Sequence, residues 1–203
     1  MEWFCDSRVD TCRYNVFREM VEAGCKSVYF GIESANQRIL NYFRKGTTFA
    51  QSKNAVRTAR KAGIDVIVGS FIVGAPDETG QEIRNTLEFI TKLNIDVPSI
   101  NVLRAFPGTD LWEDLIAKGN IDEDKSWETG VYVAQVSPHA VPFEKICLMI
   151  NEYFQTYYLH PKYLLKEILR TLKSSFRMKA VLNNLIRLNQ MAGMVKQGIV
   201  LNY

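Results

Sequence analysis

With 203 residues, 47% of them apolar, and 25 Lys/Arg against 22 Asp/Glu, the chain has enough apolar material for one sizeable core, which excludes a disordered polypeptide. The longest uncharged apolar stretch, Val66 to Pro76, covers about half of the roughly 20 residues that a membrane-crossing helix needs. The four cysteines, Cys5, Cys12, Cys25 and Cys147, are too unevenly spaced for a close metal-ligand pair and the chain too large to depend on disulfides, so they read as small apolar side chains. Residues 1–6 show neither a basic start nor a cleavable apolar run, and the cytoplasm is the default location.

A first strand is expected at Trp3 to Ser7, then a helix N-capped by Asp10 that carries Phe17, Met20 and Val21 at helical spacing and ends at Gly24. A second strand covers Ser27 to Gly31. Ser34 with Gln37, Thr48 with Gln51 and Thr79 with Glu82 each show the capping-box pattern, a hydroxyl three residues ahead of a Glu or Gln, and each opens a helix. The second of these runs through Val56 and Ala59 to Gly63, a residue suited to the left-handed turn after a helix. Ile64 to Val73 is a buried strand, the third box opens a helix through Ile83, Leu87 and Ile90, and a fourth strand lies near Ser99 to Arg104. Repeated β-α units imply a parallel sheet with helices outside, either an open doubly wound sheet or a barrel.

After Phe106-Pro107-Gly108-Thr109 one helix reaches about Lys118, and an irregular stretch runs to Pro142. From Phe143 onward Ile146, Met149, Ile150, Tyr153, Phe154 and Tyr157 fall at helical spacing. The tail is basic: residues 161–203 hold eight Lys/Arg and one acid, against 17 and 21 in residues 1–160. There Leu164, Leu165, Ile168, Leu169, Leu172, Leu182 and Leu185 alternate with Lys162, Lys166, Arg170, Lys173 and Arg187. That suits contact with a membrane surface, or equally a helix packed on the body with a solvated basic face. No nucleic-acid partner is expected, because no stacking platform accompanies the charge. His139 and His160 stand alone in the sequence and read as non-catalytic; His160 precedes Pro161, where a helix boundary is expected.

Ligands gather at the carboxyl ends of parallel strands, where loops and helix N-termini present free backbone donors. Those ends carry Asp6 and Arg8, Glu33 and Ser34, Val73 and Gly74, and Arg104.

Trp3-Phe4-Cys5-Asp6-Ser7-Arg8-Val9-Asp10, Ala23-Gly24-Cys25, Phe30-Gly31-Ile32-Glu33-Ser34, Lys45-Gly46-Thr47-Thr48, Phe71-Ile72-Val73-Gly74-Ala75-Pro76-Asp77-Glu78-Thr79 and Phe106-Pro107-Gly108-Thr109 together resemble radical S-adenosylmethionine (SAM) enzymes over residues 3–127. The subgroup that often carries an N-terminal cobalamin-binding domain is the most similar in pattern. The resemblance implies a partial (β/α) barrel in residues 1–127, with about four of its parallel strands present here, followed by a helical extension in residues 128–203. It also implies a [4Fe-4S] cluster on a Cys-x3-Cys-x2-Cys loop that reductively cleaves SAM to a 5′-deoxyadenosyl radical acting on a small-molecule substrate. That motif is absent from the sequence, so the cluster ligands and the first two strands are expected in a missing N-terminal half, and the chain alone is expected to be inactive. Cobalamin would enter through a further N-terminal domain. Asp77 and Ala105 depart from the family pattern, which more often has glycine and proline there.

By the same resemblance Glu33 would accept hydrogen bonds from the SAM ribose or amino group, and Ser34 would assist, unless it simply caps a helix. Arg38 or Lys45 would neutralise the methionyl carboxylate, or stand as surface cations; the backbone of Ile72, Val73 and Gly74 would pair with adenine and Leu103 would cover the base, or these residues would serve only strand and core packing. Arg8 and Arg104 would face the cluster or substrate cavity, or form structural ion pairs. The competing readings of the whole are a non-catalytic half-barrel that docks with a partner chain or a membrane, and an unrelated (β/α) enzyme that binds a phosphorylated small molecule at its strand ends.

Overall fold

The computed structural model describes residues 1–124 and 138–183 of the chain. Four strands, β1 (Trp3–Ser7), β2 (Cys25–Glu33), β3 (Val66–Val73) and β4 (Val97–Val102), form one parallel sheet in the order β1-β2-β3-β4. Helices make every connection: α1 (Tyr14–Glu22), then α2 (Gln37–Tyr42) with α3 (Phe49–Ala62), then α4 (Gly80–Lys92). Spatial order follows chain order with no reversal, which is the arrangement of a barrel arc and not of a doubly wound sheet with its switch point. Helix α5 (Asp110–Ala117) follows β4.

Alternation along the strands builds the core. Val28, Phe30 and Ile32 of β2 and Ile67, Phe71 and Val73 of β3 are fully buried, and they meet Ala55, Val56 and Ala59 of α3 and Ile83 and Ile90 of α4. Each large side chain so covered contributes roughly 1.5–3 kcal/mol relative to exposure. β2 runs two residues further at each end than its apolar run indicates, and β4 begins two residues earlier than expected.

The boxes at Thr48/Gln51 and Thr79/Glu82 form as expected, each hydroxyl accepting the N3 backbone N–H and each N3 side chain reaching back to the cap. Such a cap is worth about 1 kcal/mol. The box at Ser34/Gln37 does not form: α2 is capped by Asn36 without a side-chain bond, and the Ser34 hydroxyl accepts the Asn36 N–H at 3.1 Å. Nor does Asp10 cap α1, which starts at Tyr14 behind Arg13; the Asp10 carboxylate is taken by Arg8 instead.

The chain forms two compact units, residues 1–156 and 157–203. Helix α6 (Phe143–Tyr158) lies mostly in the first, where Ile146, fully buried, and Met149 and Ile150 pack into the core of the sheet. The sequence boundary expected at residue 127, most of the irregular stretch before Pro142, and Leu185 and Arg187 lie outside the described residues. In the second unit His160 caps α7 (Pro161–Leu172), its Nδ1 accepting the Lys162 N–H at 3.2 Å, with Pro161 in the first turn. Leu165, Ile168 and Leu172 of α7 are exposed. No helix among the described residues is long and apolar enough to cross a membrane.

Candidate active site

The end of β2 is irregular in a way its sequence does not announce. Its register against β3 jumps from Gly31 opposite Ser70 to Glu33 opposite Phe71, leaving Ile32 as a bulge residue. The Ser34 N–H then bonds the Ile32 carbonyl at 3.0 Å, and Glu33 at the centre of that three-residue turn has φ +67°. This is the rare, strained kind of γ-turn, and for a glutamate it costs about 1–3 kcal/mol. Strain of that size persists where surrounding contacts hold it, and here Lys45 does: its Nζ donates to Glu33 Oε1 at 2.7 Å, with both side chains largely covered. The second Glu33 oxygen carries no hydrogen bond from the described residues.

Gly31 makes the pair sterically feasible. A Cβ at this position would stand 2.8 Å from both Glu33 Oε1 and Lys45 Nζ, so any side chain would push the two apart. At the tip of β1, Arg8 donates to both Asp10 oxygens at 3.0 and 2.8 Å and to the Lys45 carbonyl at 3.3 Å. The hydrogen bond from Arg8 holds the Asp10 carboxyl below its usual range. Arg8, Asp10, Lys45 and Glu33 thus form a continuous chain of charge across the carboxyl ends of β1 and β2.

Beside it, the tip of β3 is built on a buried carboxylate. Gly74, at φ +86°, donates its N–H to Glu78 Oε2 at 2.6 Å, and Ala75 donates to the same oxygen at 3.1 Å. Glu78 is fully buried and its Oε1 has no hydrogen-bond partner among the described residues. Burial pushes its carboxyl above the usual range, against the pull of the two backbone donors. The Val73 carbonyl accepts the Leu103 N–H at 2.8 Å, so the strand ends of β3 and β4 stay zipped past the last ladder pair. His139 closes over them: its Nε2 lies 2.9 Å from the Leu103 carbonyl oxygen, and a Cβ on residue 74 would meet its ring at 2.7 Å. The close approach that glycine permits at this tip is therefore taken by an imidazole.

The fold brings Arg8, Glu33 and Lys45 together and sets Ile72, Val73, Gly74 and Leu103 at the neighbouring tips. Ser34, Arg38 and Arg104 stand apart. The Ser34 hydroxyl is fully buried, 3.2 Å from Thr86 Oγ1. Arg38 clamps the start of α4, donating to Asp77 at 2.7 Å and to Glu82 at 3.0 and 2.7 Å. Arg104 is exposed beyond β4. Sequence reasoning passed over Glu78 and His139; the signal available for Glu78 was a carboxylate in the turn between a fully apolar strand and a capping box.

The four cysteines are free. Burial pushes the Cys5 and Cys12 thiols up to about 11, so they are protonated at neutral pH and poor metal ligands. Among the described residues no group of three or more His, Cys, Asp or Glu side chains is placed to hold a metal ion.

Residues 4–90, the stretch from β1 to α4 that carries these strand ends, match the profile of the Radical SAM superfamily. The chain is also 38% identical over 188 residues to the uncharacterized methyltransferase PH0819 of Pyrococcus horikoshii. It belongs to the radical SAM superfamily. The aligned part is 92% of this radical SAM chain and 40% of that relative, so the chain spans well under half of the relative's length. Two solved radical SAM structures share its fold. The methyltransferase TsrM from Kitasatospora setae, with cobalamin and a [4Fe-4S] cluster bound, superposes with a TM-score of 0.54 at 22% identity, over 58% of this chain and 23% of TsrM. Coproporphyrinogen III oxidase (HemN) from Escherichia coli superposes with a TM-score of 0.53 at 14% identity, over 75% of this chain and 32% of HemN.

Proposed function

We propose that this chain supplies the SAM-binding strand ends of a radical SAM enzyme of the methyltransferase kind, in concert with a cluster-bearing segment outside its 203 residues. The observation that carries this is the Glu33 turn. A glutamate is held in a strained conformation with one oxygen fixed by Lys45 and the other left open at the tip of a parallel strand.

The donor set suits SAM. The open Glu33 oxygen would accept from the amino group or the ribose hydroxyls, and its charge favours the sulfonium. Lys45, already oriented by Glu33, would counter the methionyl carboxylate. At the adjoining tip the Gly74 N–H is engaged by Glu78 and one lone pair of the Val73 carbonyl by Leu103, which leaves the second lone pair of Val73 for a base edge. Arg8 would anchor Asp10 and the Lys45 loop at the rim of the cavity.

A [4Fe-4S] cluster does not fit the residues present, since no three thiols converge and the burial-raised thiols favour the protonated form. We therefore place its ligands, and the first two strands of the barrel, outside the chain. Cobalamin, if the methyltransferase likeness extends to it, would be carried by a further domain. Bound SAM and cluster would supply the radical chemistry, and the part played by this half-barrel, residues 1–127, is to bind and orient SAM. Residues 128–203, of which α6 and α7 are described, are its C-terminal extension on this reading.

Calorimetric titration of the chain with SAM tests this reading. Glu33→Gln, which keeps the shape and removes the charge, is expected to weaken binding at least tenfold, the scale of a charge-assisted hydrogen bond of about 1.5–3 kcal/mol. Equal affinity for SAM in the wild type and in Glu33→Gln would refute it.

A further inference from the structure

The cations of the first unit are not spread evenly. Residues 34–64 hold seven Lys/Arg and no Asp/Glu, inside a stretch, residues 1–160, in which acids outnumber bases 21 to 17. Helix α3 contributes Lys53, Arg57, Arg60 and Lys61 at spacings of three, four and seven or eight residues, which puts them along one side. Together with Lys92 at the end of α4 they line a cleft of about 590 Å3, and no acidic side chain is among its lining residues. Val56 and Leu93 give it an apolar floor. The cleft lies by the segments that lead into β3 and β4, at the amino ends of those strands, and is therefore distinct from the site at their carboxyl ends.

Two of the five cations have local structural reasons to be there. Arg60 donates to the Ile64, Asp65 and Asn94 carbonyls and pairs with the buried Asp96, so it covers the carbonyl ends that face the cleft. Lys92 pairs with Glu88 at 3.7 Å. The other three, Lys53, Arg57 and Lys61, have no acidic partner among the described residues. They are held by neutral groups: the Lys53 ammonium lies 5.7 and 5.6 Å from the Phe49 and Phe89 rings, Lys61 lies 5.4 Å from the Tyr14 ring, and Arg57 donates to Asn54 at 2.9 Å. Rings orient an ammonium without cancelling its charge. Three uncompensated, oriented cations around one cleft raise the local concentration of anions.

We propose that this cleft is a binding site for adjacent phosphate groups, either those of a free polyphosphate compound or, against the expectation drawn from the missing stacking platform, the phosphodiester backbone of RNA, which charge alone can hold. Two probes separate the sources: inorganic tripolyphosphate, followed by calorimetry, and a short fluorescein-labelled single-stranded RNA, followed by anisotropy across a salt series. Tripolyphosphate binding identifies a discrete phosphate site, and binding of RNA alone identifies a backbone-tracking groove. In either case the double variant Lys53→Ala/Arg57→Ala is expected to weaken binding about tenfold, and for RNA to lower the salt slope by about 1.4, the loss of two single-strand contacts. Both side chains have exposed heads, and an unchanged thermal midpoint verifies that the variant folds. Lys162→Ala/Lys173→Ala in the basic tail is the control and should leave binding unaltered. The proposal is overturned if neither probe binds, if the double variant binds as well as the wild type, or if the tail control loses as much. Because SAM is the ligand of the opposite end, these outcomes are independent of the Glu33→Gln titration.

Discussion

At the scale of single residues, the chemistry of this chain turns on one misaligned turn. Glu33 stores about 1–3 kcal/mol of backbone strain, and the Lys45 contact and the absence of a Cβ at Gly31 are what make that conformation tolerable. In Gly31→Ala the added methyl group would displace the tips of Glu33 and Lys45, and because these are the ends of flexible side chains the expected loss in urea denaturation is under about 1 kcal/mol, the scale of one ion pair. A loss several times larger would mean that the pair cannot yield and is seated more rigidly than described. Glu33 and Lys45 stood out in the sequence because they sit in a recognisable order of motifs, Glu33 at a strand end, whereas Gly31 reads there only as the last residue of a strand. Glu78 and His139 were not, since their significance comes from burial and from contact with strand tips that are remote in the chain, and neither leaves a periodic trace.

At the scale of elements, local signals read true and tertiary contacts overrode them where a side chain had a better partner. In the boxes of α3 and α4, the Thr48 and Thr79 hydroxyls bond only their own box partners among the described residues. Ser34, with the same spacing, is 52 residues in sequence from Thr86 but beside it in space, and that contact decided its role. The N-terminus of α4 gathers two carboxyl groups of opposite tendency, and pH should expose both. The Arg38 guanidinium holds Glu82 down to about 2, so its contribution to stability is present above 4.5, the ordinary value, and is lost as pH falls from there toward 2. Glu78 is displaced upward by burial, so folding favours its protonated form, and the associated stability is present below 4.5 and is lost as pH rises through the raised value. Urea midpoints measured from pH 7 downward are expected to rise first as Glu78 takes its proton and then fall as Glu82 does. Glu78→Gln should abolish the rise and Glu82→Gln should lessen the fall. A rise that survives in Glu78→Gln would assign it to another group.

At the scale of the whole molecule, the β-α rhythm made a parallel sheet legible, and the structure resolved the remaining choice because strand order never reverses. Four strands make an arc, and the outer edges of β1 and β4 have no strand partner among the described residues. Such edges invite pairing, which agrees with an arc that is completed by strands from elsewhere. On the readings proposed above, the two ends of the arc divide the labour: a charged half-site for SAM at the carboxyl ends and a basic cleft for phosphate at the amino ends. The basic cleft was invisible in sequence because the charge of α3 reads as a solvated helix until α4 folds against it. The most direct measurement of the central claim is the change in backbone amide resonances of the isotopically labelled chain on titration with SAM. The account predicts shifts confined to Gly31–Ser34, Lys45 and Ile72–Ala75; shifts centred on α3 instead, or none at saturating SAM, would contradict it.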